Sequence, residues 1–142
     1  MHDREEMYIN GKWIKAKGTE KIKVINPSTE EIIGTIPVGN IEDMDYAIKS
    51  AKEAFTNWSK SEIEDRIEIL NSLSASLKER SEEIAQIITS EVGTPIGYSR
   101  TAMVGTPRVV ARSYAKILET FEWEEEVRNS LIIKEAIGVC AF

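Results

Sequence analysis

The spacing of apolar positions changes character twice along the chain. From Met7 to about Gly39 the apolar residues come in short β-like runs. Tyr8-Ile9-Asn10-Gly11-Lys12-Trp13-Ile14 sets strand-formers on both sides of an Asn-Gly pair, the strongest short-range cue for a hairpin. Lys21-Ile22-Lys23-Val24-Ile25 alternates polar and apolar until Asn26-Pro27 breaks it, and Glu31 to Val38 reads as its antiparallel partner across a Pro27-Ser28-Thr29-Glu30 turn. From Ile41 to Phe121 the period becomes helical. Ile41, Met44, Ala47, Ile48, Ala51, Ala54, Phe55 and Trp58 follow the i, i+3, i+4, i+7 spacing of one buried helix face. Asn40 with Asp43 predicts a capping box at its start, and Ser61-Glu62-Ile63-Glu64 predicts another. The second box opens a helix whose stripe is Ile63, Ile67, Leu70, Leu73 and Leu77. Ser81 re-caps a shorter helix that Gly93 and Pro95 stop. The last helix is expected from Gly97 to Thr120, kinked or split by Pro107.

β character then returns. Phe121-Glu122-Trp123-Glu124-Glu125 alternates strictly, as an exposed strand with one wet face would, and Arg128-Asn129-Ser130 provides turn chemistry before Leu131-Ile132-Ile133. The chain closes on Ile137-Gly138-Val139-Cys140-Ala141-Phe142, a continuous apolar run that reads as a strand buried on both faces of a sheet. Such a strand needs neighbours. Burying Ile137, Val139 and Phe142 is worth roughly 1.5–3 kcal/mol each, against a total of about 5–15 kcal/mol for a domain. Domains generally end in a solvated tail, so the chain is expected to be the front part of a longer protein.

Composition narrows the class. The 142 residues are 42% hydrophobic and 30% charged, which places them with globular rather than disordered chains. A net charge of −6 and the lack of a Lys/Arg block argue against a nucleic-acid or anionic-membrane partner. No apolar stretch approaches a bilayer span, and the charged start has no signal-peptide core. A single cysteine makes no internal disulfide, so a cytoplasmic location is expected.

Candidate chemistry is sparse. His2, the only histidine, sits in a terminus expected to be disordered. Cys140 lies between Val139 and Ala141 and reads as a small buried residue, without the electropositive, partly exposed setting of a nucleophile. Neither Gly-x-Gly-x-x-Gly nor a phosphate-binding P-loop occurs. Glu122, Glu124, Glu125 and Glu126 read as a solvated strand face. These residues alone specify an α+β piece without a catalytic site.

The order of landmarks adds more. Tyr8 to Trp13 is followed by Val24 to Gly34, then Ala47 to Trp58, Arg66-x-x-Ile69-Leu70, Glu91-Val92-Gly93-Thr94-Pro95 and finally Lys134 to Val139. In this order and at these intervals the chain, from about Met7 to Phe142, resembles the N-terminal part of the NAD(P)-dependent aldehyde dehydrogenase superfamily. The resemblance implies an α+β fragment of an α/β protein: a small antiparallel β unit, three to four amphipathic helices and C-terminal strands. Residues 1–120 would form the hairpin and helical layer of the cofactor domain, 121–135 the strands of an oligomerisation arm, and 136–142 the first, truncated strand of the dinucleotide-binding sheet.

It implies equally that the chemistry lies elsewhere. The oxyanion Asn, the Gly-rich cofactor turn, the general-base Glu and the nucleophilic Cys would follow Phe142, and Cys140 does not match that nucleophile. No catalytic or cofactor-binding residue is therefore expected here, and the isolated chain is expected to be inactive and to bind no NAD or NADP. Supporting roles carry over to four positions. Ile25 (through its carbonyl) and Glu91 match a monovalent-cation site, an oxygen-ligand chemistry that suits hard cations. Thr106 and Val110 match the aldehyde entrance. The arm strands within 121–142 imply a homo-oligomer. The competing reading is a self-standing, non-catalytic oligomerisation or interaction module, built on the regular helices between Ile41 and Phe121.

Overall fold

The computed structural model describes residues 2–141. The Asn-Gly hairpin forms as expected. β2 (Glu6–Ile9) pairs antiparallel with β3 (Lys12–Lys15), and Asn10 and Gly11 take φ of 54° and 72° in the two-residue turn. β4 (Lys21–Ile25) pairs antiparallel with β5 (Ile32–Pro37). The turn between them is closed locally: the Ser28 amide donates to Asn26 Oδ1 at 2.9 Å and the Glu30 amide to the Asn26 carbonyl at 2.8 Å. β1 (His2–Asp3) adds to β5 in parallel, giving the order β1-β5-β4. His2 and Asp3 are thus in a strand, contrary to the disorder expected there, because β5 offers them a free edge.

α1 (Ile41–Trp58) begins with the expected capping box. The Asp43 amide donates to Asn40 Oδ1 and the Asn40 amide to Asp43 Oδ2, both at 3.0 Å. The same carboxylate accepts from the Lys17 amide at 3.1 Å and the Gly18 amide at 3.2 Å, so a helix start and a strand-to-strand loop share one buried anion. The predicted apolar stripe of α1, however, is not covered. Ile41, Met44, Ile48 and Trp58 are exposed, Ile41 at 81%, because β2 is the main element packed on this helix.

α2 (Ile63–Glu79) lies along α5 (Gly105–Leu118), with Ser74 Oγ donating to the Arg108 carbonyl at 3.1 Å. The second capping box does not form: Glu62 stands at the N-cap, and the Ser61 hydroxyl instead donates to the Trp58 carbonyl and accepts from Arg66 Nε. α3 (Ser81–Val92) ends at Gly93 as expected. Beyond it come α4 (Ile96–Tyr98), a π-wound turn (Ser99–Val104) and α5. The irregularity expected at Pro107 thus falls just before it. Proline in the first turn of α5 has no N–H to offer the turn behind it, and the winding loosens directly ahead. Ala85, Val104, Ala111 and Ala115 are buried where α3, the π turn, α2 and α5 meet, and Ser99 joins them through a 2.9 Å hydroxyl contact with Thr89.

β6 (Glu124–Val127) and β7 (Ser130–Ile133) form a two-stranded ribbon that is exposed throughout. Strand pairing starts at Glu124, not Phe121, while Trp123 is half-buried and its acidic neighbours Glu122 and Glu124 are exposed. Residues 134–141 form no strand. Ile137 is 95% exposed, and Cys140 is exposed rather than buried. The terminal run has strand composition, but a strand exists only where another backbone takes up its hydrogen bonds, and here none does. Phe142 lies outside the described residues.

Candidate functional site

The expected cation position combines two element ends. Ile25 closes β4 and Glu91 stands in the last turn of α3. Gly93 sets the backbone just past α3 against the turn that follows β4. Its φ of +77° is the left-handed conformation that ends α3, and a Cβ built on it would lie 2.7 Å from Pro27 Cγ. The backbone after α3 therefore rests on the ring two residues past Ile25. Glu91 is exposed and Ile25 half-exposed. One carbonyl and one carboxylate are hard oxygen donors suited to a monovalent cation, though no cluster of three or more acidic, His or Cys groups occurs among the described residues.

Thr106 and Val110 are one turn apart on α5, and both are exposed. Met103 (before α5), Tyr114 and Ile117 extend the same stripe, at 40, 58 and 51% exposure, while Ala111 and Ala115 turn inward. The structure thus presents an exposed apolar wall here.

The junction around Arg66 escaped sequence reasoning, although Arg66 stood among the landmarks. Its guanidinium donates to Ser61 Oγ at 2.9 Å, the Ser59 carbonyl at 3.3 Å and the Trp58 carbonyl at 3.4 Å, so it caps the end of α1 from α2. It also stands 5.7 Å from each of the Trp58 and Trp123 rings. Phe121 meets Trp123 edge-on at 4.8 Å, and Lys134 covers Phe121 at 5.1 Å while its amide donates to the Trp123 carbonyl. One arginine therefore ties the helical layer to the root of the β6–β7 ribbon. Trp123 Nε1 is buried there without a partner among the described residues. The eight-residue step from Trp58 to Arg66 was the available signal, but it pointed across a loop, where helical spacing says nothing.

One surface ion pair elsewhere is bidentate. Arg100 binds Glu82 through both carboxylate oxygens at 2.7 Å, which with the Gln86 amide holds the Glu82 carboxyl down to about 2.

Residues 13–142 match the profile of the aldehyde dehydrogenase family. The chain belongs to that family. The aldehyde dehydrogenase of Bartonella henselae superposes with a TM-score of 0.87 at 30% identity, covering 92% of this chain and 28% of its own. A point mutant of aldehyde dehydrogenase C from Pseudomonas syringae, solved with NAD+ and octanal, gives 0.88 at 29% identity, covering 91% and 27%. The 3-succinoylsemialdehyde-pyridine dehydrogenase of a Pseudomonas species is 34% identical over 99% of this chain and 30% of its own length. The chain spans about 30% of the curated relatives it matches, and the part it matches in these aldehyde dehydrogenases is their N-terminal one. The expected fragment of an α/β protein, with its helical layer and small antiparallel strand pairs, agrees with these superpositions. No described helix is long and apolar enough to cross a membrane.

Proposed function

We infer that this chain acts as the non-catalytic N-terminal part of a cytoplasmic NAD(P)-dependent aldehyde dehydrogenase. The observation that carries this is a family match over nearly the whole chain that accounts for under a third of a relative's length. The uncovered stripe of α1 and the unpaired run from Ile137 support it: both are apolar surfaces made to be covered by more of the fold. The same exposure weighs against the self-standing module, whose helices would have to bury Ile41, Met44 and Ile48 by themselves.

In the intact enzyme the reaction oxidises an aldehyde to a carboxylic acid through a thioester on a cysteine outside these residues. NAD or NADP, when bound, takes up the hydride. The chain's own residues position rather than react. Residues 1–120 supply the β unit and helical layer beside the cofactor sheet, and 136–142 its first strand once neighbours are present. Thr106 and Val110 line the aldehyde entrance on an apolar face of α5. Ile25 and Glu91 hold a monovalent cation that pins the β4 end to the α3 end. The ribbon within 121–135 joins a second subunit, a role supported by its exposed Leu131, Ile132 and Ile133 and its open edges.

An assay of the 142-residue chain with NAD+ and a panel of aldehydes, at protein stoichiometric with cofactor, is expected to yield no NADH. Aldehyde-dependent NADH formation would overturn the reading. Thermal melts in potassium against tetramethylammonium test the cation: potassium is expected to raise Tm, and Glu91→Gln to abolish the rise.

A further inference from the structure

The Asn10-Gly11 pair forms the β2–β3 turn, but the same two residues can also react with each other. Both are exposed, and among the described residues neither the Asn10 side chain nor the Gly11 amide is held by a hydrogen bond. Gly11 has no side chain, and the place where its Cβ would stand has nothing within 4 Å, so its nitrogen is open to approach. Once that nitrogen gives up its proton to solvent hydroxide, it can attack Cγ of Asn10. The new N–C bond closes a five-membered succinimide, the Cγ–Nδ2 bond breaks, and ammonia leaves. Water then opens the ring at either carbonyl. Cleavage at Cγ leaves aspartate; cleavage at the Asn10 main-chain carbonyl leaves isoaspartate, with the chain now running through the side chain.

The other asparagines are each denied this route. Asn26 precedes Pro27, whose nitrogen has no proton to lose. Asn40 Oδ1 is occupied by the Asp43 amide at 3.0 Å. Asn57 and Asn71 lie inside α1 and α2, where the following amide is bound to the helix backbone. Asn129 precedes Ser130, whose side chain crowds the attacking nitrogen.

The closed hairpin restrains Asn10 as well. With φ positive at both central residues the turn is of the type in which ψ of the first is small and positive. That sets the Asn10 Cβ and the Gly11 nitrogen on opposite sides of the Cα–C bond, the wrong arrangement for closing a ring. Attack therefore needs the tip to open. β2 and β3 pair only with each other among the described strands, Ile9 is the one buried residue of the hairpin, and the Tyr8–Trp13 pair that crosses it is exposed. A two-stranded hairpin of this kind is marginally stable by itself and opens locally.

We propose that Asn10 is a deamidation site whose rate is set by opening of the β2–β3 hairpin, and that the isoaspartate formed there dismantles it. Isoaspartate adds a main-chain carbon to a turn that holds only two residues. The Ile9–Lys12 and Tyr8–Trp13 register then fails, and with it the burial of Ile9.

The test is incubation of the full 142-residue chain at 37 °C in mildly alkaline buffer. Peptide mass spectrometry and an isoaspartyl carboxyl-methyltransferase with labelled methyl donor read the product. Isoaspartate is expected at residue 10 ahead of every other asparagine. Trp13→Ala removes the cross-strand aromatic pair and is expected to raise the rate roughly two- to tenfold. In concentrated urea, where no hairpin remains, parent and variant should react at one faster rate. Asn10→Gly keeps a Gly-Gly pair suited to the turn, and its melting temperature should survive an incubation that lowers the parent's. Circular dichroism confirms that each variant is folded at the start. Isoaspartate appearing first at another asparagine, or not at residue 10, would overturn the site. Equal native rates for parent and Trp13→Ala, or no acceleration in urea, would overturn the gating by the hairpin.

Discussion

Replacing Gly93 with alanine perturbs the contact between the end of α3 and the β4–β5 turn. Gly93 holds φ at +77°, where a side chain costs about 1–2 kcal/mol. The new Cβ would also fall 2.7 Å from Pro27 Cγ, inside any normal contact, so the turn from Asn26 to Glu31 must give way. That turn is closed by the Asn26–Glu30 and Asn26–Glu31 backbone bonds and yields only by straining them. Adding about 1 kcal/mol for the displacement gives a total of roughly 2–3 kcal/mol. With an unfolding entropy of about 2.1 cal/mol/K per residue, the melting temperature should fall by roughly 7–10 °C. Thermal and urea melts followed by circular dichroism measure it, with the urea m-value unchanged. The double mutant G93A/P27A isolates the contact. Removing the ring relieves the collision but not the left-handed strain, so the two changes should couple by about 1 kcal/mol. A Gly93→Ala melt within a degree of the parent, or strict additivity with P27A, would refute the argument that the β4–β5 turn and the α3 end are held against each other.

Other consequences are equally open to measurement. Asp43 is held below its ordinary range by accepting the Asn40 amide first, then the Lys17 amide, with Gly18 and the Lys17 charge adding to these. Its folded pKa lies below the unfolded value of about 3.9, so its contribution to stability is present above that value and is lost as pH falls through the folded one. Asp43→Asn should therefore be less stable than the parent at neutral pH, and the two stability curves should converge in acid; parallel curves from pH 7 to 2 would count against the shared anion. Arg100→Met should return the Glu82 carboxyl from about 2 toward its ordinary value near 4.5, read by NMR titration; an unmoved titration would mean Gln86 alone holds it. Ala115→Leu should cost roughly 1–3 kcal/mol, because a residue 2% exposed between close helices leaves no room for a larger side chain; a neutral effect by urea melt would mean that α2 and α5 can separate freely.

What could be read from the sequence was what neighbouring residues decide. The Asn40–Asp43 box, the Asn10-Gly11 turn and the Gly93 stop each depend on a few consecutive residues, and each stands where the pattern put it. Ser61 shows the limit. Its box failed because Arg66 and the Trp58 carbonyl compete for the hydroxyl, a competition invisible to local spacing. The stripe on α1 was rightly seen as amphipathic, but periodicity reports a face, not what covers it. Ile137 to Ala141 likewise have strand composition and no partner backbone, and Cys140 is exposed in consequence. The short parallel pairing of β1 with β5 and the π turn before Pro107 arise from contacts and winding that carry no apolar period. Of the candidate site, the pairing of Ile25 with Glu91 is an expectation from the order of landmarks, whereas the approach of Pro27 to Gly93 is a contact of the fold that no local pattern carries.

On the proposed function, these residues are one part of a larger dehydrogenase polypeptide. The most direct test of this is the mass of the endogenous product in lysate of the source cells, detected with an antibody against residues 41–121. The expected product is a polypeptide more than three times the length of this chain, in keeping with the chain's 30% share of a relative. A product at 16.0 kDa and nothing heavier would contradict it.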